Sequence, residues 1–208
     1  MNNLKIMIAG GGIGGITAAL CLAKYGYKID VFEQASAFGE VGAGIQLSPN
    51  CSRVLHYLGL EAALRERGFL PEGGQFRSWR TGGIISESKH GVNAVEKFGA
   101  PYYHIHRGDL LMILVEAATK NPDIELHLNA AVESFTDLGN DGVEVMVGGL
   151  AHKCDLLIGA DGIRSIVRSG LWGEQNPQYT GNVAWRALVP VDRLPKGLIR
   201  PMSTVWWG

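Results

Sequence analysis

Six positions constrain this chain more than any others: Gly10-Gly11-Gly12-Ile13-Gly14-Gly15, with five glycines, set between an apolar run and a helical pattern. Leu4 to Ala9 is short, almost wholly apolar and too brief for a helix, which predicts a strand covered on both faces, as in a parallel sheet. From Ile16 the apolar positions Ile16, Leu20 and Ala23 recur at helical spacing. Between the two, Gly10, Gly12 and Gly15 keep the G-x-G-x-x-G spacing of a dinucleotide-binding turn. The first glycine allows the tight turn, the second lets backbone approach a diphosphate, and the third lets helix pack close to strand. The helix N-terminus then offers unpaired N–H groups and a positive dipole end to an anion.

That spacing is weak alone and becomes informative only if a second strand follows and ends in an acid about 20 residues on. Tyr27 to Phe32 is rich in β-branched and aromatic residues and delivers Glu33 to its C-terminal tip. A carboxylate there accepts hydrogen bonds from ribose hydroxyls and repels a 2′-phosphate, which favours FAD or NAD over NADP at this site. A glycine-rich turn with a surface glutamate is the alternative.

The 29 glycines among 208 residues are about twice the ordinary frequency of about 7%, as a cofactor cradle requires. A formal net charge of −1 with mixed signs leaves no electrostatic footprint for nucleic acid or an anionic membrane. Cys21, Cys51 and Cys154 are too far apart to suggest a disulfide framework or a metal knuckle. With no signal-peptide pattern and no apolar run long enough to span a bilayer, the expected compartment is the cytoplasm.

Ala35 to Asn50 reads as a long connection of small residues, in which Gly42-Ala43-Gly44 would let backbone lie flat against a planar ligand; a glycine linker is the alternative. Helices are predicted from Ser48-Pro49-Asn50 to Gly59 and from Leu60 to Arg67. Gln75 to Arg80 and Ile84 to Ser88 look like hairpin strands inserted into the α/β pattern. His104 and His106 fall on one face of a strand, without a third metal ligand near them in sequence. Asp109 is placed to cap a helix from Leu110 to Lys120, with Leu110, Ile113, Leu114 and Ala117 on one face, and Arg107 stands at its strand-to-helix junction. Strands follow at Ile124 to Leu128, Ala131 to Asp137 and Val143 to Val147, the last two joined by a turn at residues 139–142.

Cys154 to Arg168 repeats the opening logic: an apolar strand, the turn Gly159-Ala160-Asp161-Gly162, and a helix carrying Arg164 and Arg168 on one face. Asp161 could accept a bond from a hydroxyl, fix the loop, or cap the helix. From Gln178 to Trp207 the chain again reads as β.

Together these residues resemble the class A flavoprotein aromatic hydroxylases, typified by salicylate, 3-hydroxybenzoate and 6-hydroxynicotinate hydroxylases. The resemblance covers the whole chain. It rests on Gly10, Gly12, Gly15 and Glu33, on the stretch Val41 to Asn50, on His106 to Leu110, and most on Asp155 with Gly159 to Gly162 and Ser165 to Arg168. It implies an α/β fold: a Rossmann-like FAD-binding domain of the glutathione-reductase and p-hydroxybenzoate hydroxylase type, formed by residues 1–70 and 104–175. Residues 71–103 and 176–208 would be part of an interleaved, mainly β substrate domain. It further implies FAD as cofactor, NADH or NADPH as co-substrate, O₂, and a small aromatic, hydroxybenzoate-like substrate. The implied cofactor-binding residues are Gly10, Gly12, Ile13, Gly14, Gly15, Glu33, Gln34, Gly44, Arg107, Val132 and Asp161. Gly42 to Ile45 would flank the flavin ring, no metal is expected, and a homodimer is compatible with the resemblance.

The family's third fingerprint, a Gly-Asp-Ala-Ala-His-like segment, does not occur in these 208 residues. The chain is therefore expected to be truncated, the N-terminal part of a longer protein, and inactive alone. The aromatic edge Val205-Trp206-Trp207-Gly208 is expected to pair with a later segment. Groups that activate a phenol or hold a carboxylate are expected after Gly208 or on the Tyr179 to Trp207 sheet, so no catalytic residue is named. A non-catalytic flavin-binding module and an NAD-dependent dehydrogenase remain the rivals.

Overall fold

The computed structural model describes residues 4–39, 42–89, 91–198 and 200–208, with Val92 by its backbone alone. Glu40 and Val41, in the expected connection Ala35 to Asn50, and Ile199, in the expected C-terminal β run, lie outside the described residues. Packing divides the chain into two units, Met1–Glu40 with Leu111–Val183, and Val41–Leu110 with Ala184–Gly208.

The first unit is built on a four-stranded parallel sheet ordered Leu156–Gly159, Lys5–Ala9, Lys28–Phe32, Ile124–His127. Ile6, Met7, Ile8 and Ala9 are no more than 2% exposed, so both faces of Lys5–Ala9 are covered, as the apolar run predicts. The helix Ile13–Ala23 packs on one face through Gly15, Ile16, Ala19, Leu20 and Ala23. On the other face Met7 and Phe32 join Val145, Val147 and Cys154, residues of the antiparallel meander Val132–Asp137, Val143–Val147, Leu150–Cys154. Each large apolar side chain so buried contributes about 1.5–3 kcal/mol. Asp155 ties the sheet to the meander, since its carboxylate accepts from the Lys5 N–H at 2.6 Å and its own N–H donates to the Lys5 carbonyl.

In the second unit Gly44–Leu47 pairs antiparallel with Tyr103–His106, and a separate sheet orders Met202–Trp207, Gly73–Ser78, Ile84–Lys89. Residues 42–70 share this unit with residues 71–103: Phe69 bridges to His104, on the strand that follows the insert, and the helix Pro49–Tyr57 touches the helix Gly91–Phe98. The helices are Pro49–Tyr57, Glu61–Arg67 and Gly91–Phe98, the last unforeseen between glycine turns.

Three expectations need correction. Of the β run expected from Gln178 to Trp207, only Met202–Trp207 is a strand among the described residues; Tyr179 and Trp185 are 80% and 96% exposed, and without a neighbouring strand their β propensity has nothing to pair with. The helix expected from Leu110 starts at Arg107, because His106 Nδ1 accepts the Gly108 N–H at 3.2 Å and does the work expected of Asp109. Arg164 and Arg168 do not share a helix: Arg164 ends a 3₁₀ turn, Gly162–Arg164, and Ser165 caps the separate helix Ile166–Trp172. Among the described residues no helix is long and apolar enough to cross a membrane.

Candidate functional site: a dinucleotide cleft

Strand order reverses at Lys5–Ala9: the next strand in sequence lies on one side, and the much later Leu156–Gly159 lies on the other. At such a switch point the loops leaving the C-terminal strand ends diverge and open a crevice. A cleft of about 380 Å³ lies here, lined by residues that include Ala9, Gly10, Gly12, Glu33, Gln34, Val132, Asp161 and Arg164.

The glycines divide their work as the spacing predicts. Gly10 has φ +103°, and a Cβ on it would collide with the Ala160 carbonyl; a Cβ on Gly15 would collide with the Gly10 carbonyl. These two let the turn close and the helix seat on the strand. Gly12 differs, because it lines the cleft and a Cβ there would meet nothing within 4 Å. The space a side chain would fill is space for ligand. Gly12 is also the N-cap, and it leaves the helix without a side-chain cap. The first-turn N–H groups, those of Ile13, Gly14 and Gly15 among them, are therefore left for an anion.

Glu33 follows its strand at the cleft wall, half-buried. One carboxylate oxygen accepts from the Gly11 N–H at 2.8 Å and the other from the Ala35 N–H at 2.9 Å. Both oxygens keep lone pairs that a ribose diol can use. The acid thus braces the glycine turn while facing the cleft. Val132 enters the lining with Ala130 and Ala131 as an apolar wall.

Of the three roles open to Asp161, the structure shows loop fixing and capping. Its carboxylate accepts from the Ser165 hydroxyl at 2.5 Å, from the Ile166 N–H at 2.7 Å and from the Val167 N–H at 3.2 Å, while Ser165 Oγ accepts from the Arg168 N–H at 2.9 Å. Gly159 repeats the close approach of the opening motif, because a Cβ there would lie 2.7 Å from Val167 Cβ.

The cleft thus gathers Gly10, Gly12, Glu33, Gln34, Val132 and Asp161, with Ile13, Gly14 and Gly15 in the adjoining helical turn. Gly44 and Arg107 belong to the second unit, where Gly44 pairs with His106 and the Arg107 side chain runs beside Gly42. His106 Nε2 lies 2.9 Å from the Gly42 carbonyl. Sequence reading missed the clasp of Glu33 on Gly11, which no spacing reveals, and the cleft position of Arg164. It also missed a small pocket of about 190 Å³ within the second unit, lined by Gln46, Phe76, Tyr102, His104, Ser203 and Val205 among others. There the Tyr102 hydroxyl donates to Gln46 Oε1 at 3.0 Å. Among the described residues, Asp30, Glu125 and His127 bring three potential metal-ligand atoms within 4.8 Å of one another. Asp30 already has partners in Lys5 at 3.5 Å and His127 at 3.0 Å.

A switch-point cleft with an uncapped glycine-rich helix start and a strand-tip acid defines a dinucleotide-binding protein. The chain belongs to the FAD binding domain family, whose pattern it matches over residues 3–189. It is 36% identical to 6-hydroxynicotinate 3-monooxygenase of Pseudomonas fluorescens over 98% of this chain and 52% of that protein. It is 38% identical to a 3-amino-4-hydroxybenzoate 2-monooxygenase of Streptomyces platensis over 98% of this chain and 50% of the relative. The chain spans about half the length of these curated relatives. Among solved structures, a variant of 2-methyl-3-hydroxypyridine-5-carboxylic acid oxygenase matches with a TM-score of 0.70 at 26% identity, over 82% of this chain and 43% of that one. The p-nitrophenol 4-monooxygenase of Pseudomonas putida shares the fold, with a TM-score of 0.74 at 22% identity over 82% of this chain and 43% of that one.

Proposed function

We propose that this chain is the FAD-binding portion of a flavoprotein monooxygenase that hydroxylates a small aromatic, hydroxybenzoate-like compound with NADH or NADPH and O₂. The observation that carries the reading is the cleft: Gly12 leaves open space above an uncapped helix start, and Glu33 stands opposite with acceptor capacity to spare. The relatives that align along nearly the whole chain are named as monooxygenases or hydroxylases of such aromatics, which supports the substrate class.

When bound, the flavin would accept reducing equivalents from the pyridine nucleotide and activate O₂ for transfer to the ring. This chain's own residues bind and position. Gly10 to Gly15 cradle the diphosphate, Glu33 takes the adenosine ribose, and Val132 with Ala130 walls the adenine side. Gly44 and Arg107 are assigned to the flavin on the family likeness alone. In the second unit the pocket beside Phe76 and Val205 offers apolar walls for a ring, with Gln46 and Tyr102 to bond its polar substituent.

Titrating the purified chain with FAD tests the reading. Quenched flavin fluorescence and a shifted flavin absorption band are expected, without product from a hydroxybenzoate panel in the presence of NADH or NADPH. Binding of NAD⁺ with no binding of FAD would support the dehydrogenase alternative and overturn the proposal. Product formation at rates typical of enzymes, about 1–10³ s⁻¹, would show that the chain completes the reaction by itself.

A further inference from the structure

Away from the dinucleotide cleft, Asp30, Glu125 and His127 bring metal-ligating atoms together. Asp30 and Glu125 are register partners on the adjacent parallel strands Lys28–Phe32 and Ile124–His127, and His127 lies two residues beyond Glu125. Side chains two apart on a strand share a face, as do register partners across a pair, so all three stand on the same side of the sheet. One ligand atom from each lies within 4.8 Å of the other two. None of the three lines the cleft.

Two of the ligand atoms already stand at metal-site spacing. The His127 ring stacks on Phe32, with centroids 4.6 Å apart and planes 16° from parallel, which fixes the direction of its nitrogens. Its Nε2 lies 3.0 Å from Asp30 Oδ1. Metal bonds of about 2.1 Å, at angles from square to tetrahedral, put neighbouring ligands roughly 3.0–3.4 Å apart. Lys5 Nζ, 3.5 Å from Asp30 Oδ2, holds the other oxygen and leaves Oδ1 to the ion, the outer-sphere contact that orients a carboxylate ligand. Glu125 is exposed and, among the described residues, makes no hydrogen bond or ion pair, so its carboxylate can turn onto the same point. Two carboxylates against one lysine leave the group negative, and a cation relieves that charge. We propose that Asp30 Oδ1, a Glu125 carboxylate oxygen and His127 Nε2 form a three-ligand site for a divalent transition-metal ion of the zinc class, with solvent completing the coordination. An imidazole with two carboxylates suits zinc or nickel, whereas magnesium and calcium take oxygen ligands. The ion takes the place of the hydrogen between Nε2 and Oδ1, which is released to solvent, and it ties the outermost strand of the parallel sheet to its neighbour.

The test titrates the chelator-treated chain with Zn²⁺ by calorimetry and with Co²⁺ by visible absorption, beside Glu125→Gln and His127→Gln. The wild-type chain should take up zinc at this site, with Mg²⁺ failing to compete, and its melting temperature should rise with zinc. E125Q should weaken zinc about 10- to 100-fold and lose the zinc-dependent rise in melting temperature. Its metal-free melting temperature should stay at the wild-type value, because the carboxylate has no partner to lose. H127Q should lose zinc binding as well, which separates a site containing the imidazole from one made of carboxylates alone. Zinc affinity unchanged in both variants would assign the ion to other histidines or cysteines and overturn the proposal. So would a cobalt spectrum with the charge-transfer absorption of thiolate ligands, magnesium binding as tight as zinc, or a wild-type chain that takes up neither zinc nor cobalt.

Discussion

Gly10 and Gly12 sit two residues apart in one turn, yet alanine at each should fail in a different way. At Gly10 the backbone has φ +103°, where an L side chain costs about 1–2 kcal/mol, and the new Cβ collides with the Ala160 carbonyl. Relief requires the two loops to part, against hydrogen bonds from Gly10 N to Phe32 O at 2.8 Å and from Ala160 N to Ala9 O at 2.7 Å. Overpacking of this kind costs about 1–3 kcal/mol, so Gly10→Ala should lose about 2–5 kcal/mol in all. At Gly12, φ is −74° and ψ −177°, which alanine adopts freely, and the new methyl meets nothing. Loss of a favourable N-cap residue should cost no more than about 1 kcal/mol. The methyl stands where the diphosphate is expected, so FAD affinity should fall about 10- to 100-fold. Urea unfolding followed by far-ultraviolet circular dichroism reads the first effect, as a midpoint lowered by roughly 1–2 M for Gly10→Ala. Flavin fluorescence quenching reads the second. Equal stabilities for the two variants, or wild-type FAD affinity in Gly12→Ala, would refute the division of labour.

Two further outcomes follow from the hydrogen bonds. Glu33→Ala should weaken FAD by about 1.5–3 kcal/mol through the lost ribose contact, and it should also loosen the Gly11 turn; amide exchange that stays unchanged at Gly11 would show that the clasp does not hold in solution. Tyr103 is buried with its hydroxyl 3.1 Å from His56 Nε2, and burial holds its phenol above the usual value of 10. A raised folded value means that this residue's contribution to stability is complete below pH 10 and is lost as pH rises through the folded value. Tyr103→Phe should remove that alkaline step in a pH-dependent melting series and cost about 0.5–1.5 kcal/mol at neutral pH; an identical alkaline decline in the variant would place its origin elsewhere.

The elements legible in the sequence are those fixed by local chemistry and by burial on both faces. Lys5–Ala9 could be read because continuous apolar side chains fit only a covered strand, and Ile13–Ala23 because its small and apolar residues recur at helical spacing. The β reading of residues 178–190 failed for the opposite reason. Aromatic and β-branched residues favour a pleated surface only when another strand offers one, and in the described chain these residues find none. The start of helix Arg107–Thr119 was misplaced because an unusual acceptor, the His106 imidazole, replaces the expected carboxylate. The helix Gly91–Phe98 is flanked by turn residues that hide its period. The pocket at Gln46 and Tyr102 assembles residues 56 positions apart, and nothing local in either segment announces it.

The site shows the same boundary more sharply. The glycines announce their roles because backbone conformation is a property of the residue itself, whereas the acids do not announce theirs. Glu33 and Asp161 both read as ligand-facing carboxylates, and in the structure both first hold protein N–H groups: Glu33 on Gly11 and Ala35, Asp161 on Ile166 and Val167. The proposed diphosphate site has two carboxylates in its walls, and both are engaged by N–H donors of the loops they brace. The cleft lining is then made of two hydrogen-bonded turns, one of which carries Arg164. Reading that arrangement requires knowing which donors each acid meets. Ala35, Ile166 and Val167 lie two to six residues beyond the acid each one meets, whereas Gly11 reaches Glu33 only because Lys28–Phe32 pairs in register beside Lys5–Ala9.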